Sequence, residues 1–207
     1  LNWILTARQN GVDNGLPLYF IGLALIIAAI AILHLKRDLI NQGLTWIFEK
    51  PVRGFVFIAL LFTALLRYYL FPGPFTESGD ASAHLMHIFV AKDALAHGTV
   101  PTWTNWIYCG SPFLQDYGPL FFYFSAFISL IFGDFEFSVK GALFLFHLFS
   151  GLTFFYALSP LFKTRLAALT GALCYILIGW HSHFLLIQGR FPAAPIYLFL
   201  PLLFKEC

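Results

Sequence analysis

Charge is what this chain has least of. Asp, Glu, Lys and Arg together make up 11% of its 207 residues, where a soluble domain carries about 25%. That scarcity excludes an ordinary water-soluble domain. The net charge of +2 is too small to attract nucleic acid. Phosphate-cradling glycine motifs are missing too, since neither a Walker loop nor a dinucleotide fingerprint occurs. Cysteine is sparse: Cys109, Cys174 and Cys207 show no Cys-x-x-Cys spacing, and an odd count does not complete a disulfide framework. Cys174 lies in an apolar run and reads as a small core residue.

Apolar residues fill the space that charge leaves. They make up 59% of the chain, Phe alone occurs 26 times, and the mean hydropathy is +0.79. The expected class is all-α, a polytopic integral membrane protein. The chain opens on Leu1 and stops at Lys205-Glu206-Cys207 just past a hydrophobic run. It reads as a fragment with one transmembrane domain over 1–207. The first apolar run is too long for a cleavable signal peptide and lacks a small-residue cleavage site.

Leu16 to Leu33 is an uncharged run of 18 residues, close to the roughly 20 needed to cross a bilayer. With its flanks it predicts a span over about 16–35. Lys36, Arg37, Lys50 and Arg53 follow, which marks the cytoplasmic side. Further spans are predicted over about 54–71, 139–158, 166–180 and 192–204, the last broken by Pro195 and Pro201. The segment 119–132 is apolar but short. If it dips and returns, Lys36, Arg37, Lys50, Arg53, Lys163, Arg165 and Lys205 lie inside, seven of the twelve basic residues; if it crosses, they divide six and six. The tight basic turn Lys163-Thr164-Arg165 favours the dip.

Between the second span and that segment lies an outer loop, 72–118, that interrupts the oil. Residues 80–97 have helical character, with Ser78 or Asp80 as cap and Gly98 as stop. On that helix Asp80, His84 and His87 form one stripe at i, i+4 and i+7. An oxygen and two imidazoles on one face suit a divalent metal; the same stripe suits a carboxylate base with an orienting imidazole. Two plainer readings stand beside these. Asp80 is a good N-cap, and the histidines fit the wet face of an interfacial helix. After Gly98 comes a loop rich in Pro, Trp and Tyr, from Trp103 through Trp106 and Tyr108 to Asp116 and Tyr117. Its aromatics suit the headgroup level of a bilayer, and also stack on sugar rings. A second polar cluster runs from His181 and His183 through Gln188 to Arg190. Arg190 either snorkels or grips phosphate.

The order of these features resembles the GT-C glycosyltransferases, polytopic enzymes that use polyprenyl-phosphate-linked sugars. The features are Gly79-Asp80 with His84, Gly98-x-x-Pro101-x-Trp103, Gly110-x-Pro112, Tyr117-x-Pro119-Leu120 and the basic turn at Leu161–Arg165. Within that superfamily the likeness is to the bacterial and archaeal membrane family labelled as related to 6-pyruvoyl-tetrahydropterin synthase, and it covers roughly residues 50–200. The resemblance implies a GT-C-like helical bundle with a juxtamembrane helix in the first outer loop. It implies Asp80 as catalytic base or metal ligand, with Glu77 as helper. It matches Arg190 and His183 to the loop that meets the donor phosphate. Beside them His84, Trp103 and Tyr117 are candidate substrate-binding residues, and the stripe Asp80, His84 and His87 is the candidate site for a divalent metal, magnesium or manganese. The partners it implies are a polyprenyl-phosphate-linked sugar, a glycan, lipid or protein acceptor, and the bilayer. The chemistry would be inverting hexosyl transfer on the extracytoplasmic face of a multi-pass cell-membrane protein. No Asp or Glu stands between His181 and Phe204, where several relatives carry a second acid. Two other functions fit the same sequence: a transporter or flippase-like protein for lipid-linked saccharides, and a non-catalytic subunit with this fold.

Overall fold

In a computed structural model, residues 34–71, 79–107 and 109–206 are described, together with positions 24, 27, 28, 31 and 32. The predicted first span therefore lies largely outside the described residues, and so does Glu77. The sequence suggests one domain; the chain itself divides into two compact units, Leu1–Ile47 and Phe48–Cys207. Most of the described residues, 79%, are helical. The helices are α1 (Arg37–Glu49), α2 (Pro51–Leu66), α3 (Ala81–Ala96), α4 (Leu120–Phe132), α5 (Phe135–Leu158), α6 (Arg165–Leu177), α7 (Gly179–Ser182) and α8 (Ala194–Glu206). A two-stranded antiparallel ribbon, β1 (Trp103–Thr104) and β2 (Ser111–Pro112), pairs Trp103 with Pro112.

Three stretches are long and apolar enough to cross a membrane: Pro51–Leu70, Phe135–Leu161 and Arg165–Ile187. They coincide with three of the predicted spans. Leu120–Phe132 and Phe191–Lys205 are shorter apolar helices. A helix of 13 residues such as α4 is about 20 Å long, short of the roughly 30 Å of a hydrocarbon core. In α8, Pro195 does not break the helix as expected. It stands in the first turn, where a missing N–H breaks no bond.

Two of the helices start at a side-chain cap. Asp134 accepts from Phe137 N at the head of α5, and Thr164 accepts from Ala167 N at the head of α6. Within the second unit, α5 is the hub, packing against α2, α4, α6 and α8. Of the 18-residue apolar core of the Phe135–Leu161 stretch 61% is buried, against 28% and 22% for the other two; its buried Phe144, Phe146 and Phe155 join Phe62 of α2 and Phe121 and Phe122 of α4 in the core. Helix α3 packs on α4 and so hangs from the hub.

One polar contact inside this bundle was not anticipated. His147, buried in α5, bonds through Nε2 to the Ile176 carbonyl at 2.8 Å and through Nδ1 to the Tyr69 hydroxyl at 3.1 Å. A carbonyl only accepts, so Nε2 carries the hydrogen, and in the neutral ring Nδ1 accepts from Tyr69. Ile176 lies at the end of α6, where carbonyls run out of helical partners. The chain is extended at Ile178, ψ 124°, before α7 begins. His181 of α7 is buried in turn against Tyr175, Tyr197 and His147.

Candidate functional site

The site begins at a backbone junction. Gly79 has φ +49°, a left-handed conformation that glycine adopts at little cost. A Cβ there would collide with the Gln188 carbonyl. The close approach lets Asp80 N donate to Gln188 O at 3.0 Å. Two residues on, after Gly189 at φ +69°, the chain delivers Arg190. Its Nε then lies 3.8 Å from Asp80 Oδ2, with both side chains about half exposed. The Arg190 guanidinium also sits over the Phe184 ring, 5.2 Å from its centre, a cation–π contact that fixes its plane.

Asp80 occupies the N-cap position of α3, yet its side chain makes no capping hydrogen bond. Among the described residues the ion pair of the carboxylate is the loose one with Arg190. Asp80 and Arg190 border a cavity of about 600 Å3 that also takes in His84, Asp116, Tyr117 and Phe184. Apolar Leu120, Pro192, Pro195 and Ile196 also line it. Leu120 and Ile196 are well exposed on α4 and α8. The lining thus mixes charged and apolar groups.

The two histidines do not form the wet face of an amphipathic helix. Both point inward: His84 is 1% exposed and His87 is 7% exposed. His84 packs edge-on to Tyr117 and lies against Phe122 and Phe191, and its buried Nδ1 has no hydrogen-bond partner. Burial pushes the His84 pKa from its ordinary 6.5 down to about 4, helped by His87 and Arg190 and opposed by Asp80. The folded chain therefore binds fewer protons at this ring than the unfolded chain does. Its stability is fullest above pH 6.5 and falls as pH drops from 6.5 towards 4. The thermal midpoint of the wild type should accordingly fall more steeply with acidification than that of His84→Phe, which cannot titrate. Parallel curves in a detergent-solubilised melt series from about pH 7 to about pH 4.5 would remove His84 from the cause.

Among the described residues no three His, Cys, Asp or Glu side chains are grouped to hold a metal ion. His87 Nδ1 is taken by the Ala83 carbonyl at 2.8 Å, and its ring is stacked among Phe113, Tyr117 and Phe122. The expected grouping of Asp80, His84 and His87 around magnesium or manganese thus does not fit this arrangement.

The structure brings Asp80, His84, Tyr117 and Arg190 to one cavity. Trp103 and His183 do not join them. Trp103 lies in β1, over half exposed, its Nε1 donating to Asn105 Oδ1 at 3.0 Å. His183 is exposed at the start of the π-turn that follows α7. Tyr108 falls outside the described residues. Phe184, the platform under Arg190, and Asp116 belong to the site beyond the predicted set. Asp116 offered a weak sequence signal as the neighbour of Tyr117. Phe184 offered none, being one Phe among 26.

Compared with known proteins, the chain matches no family model, no curated protein and no solved structure.

Proposed function

We propose that the chain carries the catalytic face of a membrane glycosyltransferase, moving a sugar from a polyprenyl-phosphate carrier to an acceptor at the extracytoplasmic face. The observation that carries this reading is the mixed lining of one cavity: the Asp80 carboxylate beside Arg190, together with apolar Leu120, Pro195 and Ile196. A lipid-linked sugar phosphate likewise has charged and apolar parts. The GT-C resemblance of the loop order supports it independently.

On this reading the carrier's isoprenoid chain lies against Leu120 and Ile196 and its phosphate meets Arg190. Asp80 takes the proton from the acceptor hydroxyl. The freed oxygen attacks the anomeric carbon from the face opposite the lipid, and the bond to the phosphate oxygen breaks. The phosphate leaves with the bonding pair, and the Arg190 guanidinium offsets its charge through charge-assisted hydrogen bonds. The half-exposed Asp80–Arg190 pair is cheap to open, since exposed pairs contribute about 0–1 kcal/mol. No step needs a metal ion.

The test is donor choice. In membranes holding the intact protein, label should move to glycan or lipid acceptors from a sugar on a polyprenyl phosphate, and not from a nucleotide sugar once lipid-carrier synthesis is blocked. Transfer from the nucleotide sugar under that block would sink the proposal, as would the absence of transfer from a panel of lipid-linked hexoses.

A further inference from the structure

A second cleft, of about 430 Å3, lies on the other side of Asp116 and Tyr117, which border both cavities. Ser82, His87, Trp106 and Gln115 complete its chemistry. Its make-up differs from the first cleft in one decisive way: among the described residues no Lys or Arg lines it. Those residues offer a phosphate or carboxylate no cation. They offer a metal ion too few acids, since Asp116 is the lone carboxylate among the described lining residues.

The groups that are present suit hydroxyls. His87 Nδ1 must donate to the Ala83 carbonyl, so the neutral ring keeps Nε2 as an acceptor. Gln115 both donates and accepts, Ser82 does the same, and Asp116 accepts. Trp106 supplies a flat apolar face, with 71% of its surface exposed. Its backbone is held: Trp106 N donates to the buried Thr104 Oγ1 at 3.2 Å, and the β1–β2 ribbon closes the loop behind it. Leu114, also in the lining, is held at φ +55°, a conformation that persists only where the surroundings enforce it. An aromatic plane among mixed donors and acceptors, with no Lys or Arg among the described lining residues, matches a pyranose ring, which has an apolar face and an equatorial rim of hydroxyls.

We infer that this second cleft binds a neutral saccharide, as the acceptor of the proposed transfer. Asp116 and Tyr117 then form the partition between acceptor and lipid-linked donor. The acceptor role rests on the reading of the first cleft; saccharide binding as such does not.

The experiment is saturation-transfer NMR on the intact protein in lipid nanodiscs. The probes are linear neutral tetrasaccharides of glucose, galactose, mannose or N-acetylglucosamine. At least one should bind, Trp106→Ala should weaken it about tenfold or more, and Trp106→Tyr should restore most of it. Raising the salt should leave the affinity unchanged, because no ion pair is involved. Failure of every probe to bind the wild type overturns the inference. So does binding that survives Trp106→Ala, or that fades steeply with salt. The two readings fail separately. Saccharide binding without transfer from any lipid-linked hexose sinks the transferase and keeps the cleft. Transfer without saccharide binding keeps the transferase and removes the cleft from it.

Discussion

Asp80→Asn is expected to cut sugar transfer between about a hundredfold and about ten-thousandfold, the usual contribution of a positioned general base, while the protein folds normally. The separation of the two effects follows from the site. Asparagine has the size of aspartate, so packing is kept. No capping hydrogen bond is lost, because the Asp80 side chain makes none. The ion pair with Arg190 is long, at 3.8 Å, and half exposed, so its loss changes stability by at most about 1 kcal/mol. The backbone tie to Gln188 uses Asp80 N and survives. The measurement is the rate of transfer at saturating lipid donor, with thermal unfolding alongside. A lower rate at an unchanged midpoint is the expected pattern. An unchanged rate would leave Asp80 as the first residue of a helix and move the chemistry elsewhere.

Gly151→Leu is expected to leave little folded protein. Gly151 lies in α5 where two neighbours close in. A Cβ there would stand 2.5 Å from Ile176 Cγ2 and 2.5 Å from Phe62 Cε2. Both neighbours are fully buried, so neither has free space to move into. Overpacking by a few methylenes costs about 1–3 kcal/mol, and leucine adds four carbons where not even one fits. The total is comparable with the roughly 5–15 kcal/mol that holds a domain folded. Gly141, on the same helix, has nothing within 4 Å of its would-be Cβ. The gentler pair therefore splits in sign. Gly141→Ala should raise the midpoint through helix propensity, by up to about 1 kcal/mol, and Gly151→Ala should lower it. Equal responses at the two positions would show that the close packing at Gly151 is not what limits the fold.

Much of the helical layout was legible because hydropathy and helix stops are local signals. The stretches around 54–71, 139–158 and 166–180 are predominantly apolar, with Arg67 and Lys140 near the ends of the first two. Helix α3 stops just before Gly98, whose φ of +67° suits the residue after a helix end. Burial of the α3 histidines was not legible. Spacing places His84 and His87 on one face, but it does not say that Tyr117 and Phe122 come back to cover that face. Arg190 and His183 also looked equivalent on paper, only seven positions apart. What separates them is the turn through Gly189 and the Gly79–Gln188 approach, which aim Arg190 at Asp80 and leave His183 outside. Such long-range backbone contacts have no signature in a single sequence. Trp103 and Trp106 divide in the same way: the ribbon spends Trp103 on Asn105 and turns Trp106 to the second cleft.

The bond from His147 to Ile176 also bears on how the end of α6 is satisfied. A helix end in apolar surroundings leaves carbonyls that cost several kcal/mol each if they stay unpaired, and α6 stops in the middle of an apolar stretch. Its missing donor comes from a residue synthesised 29 positions earlier. The polar satisfaction of that helix end is therefore borrowed from α5 and is not available to the later segment by itself.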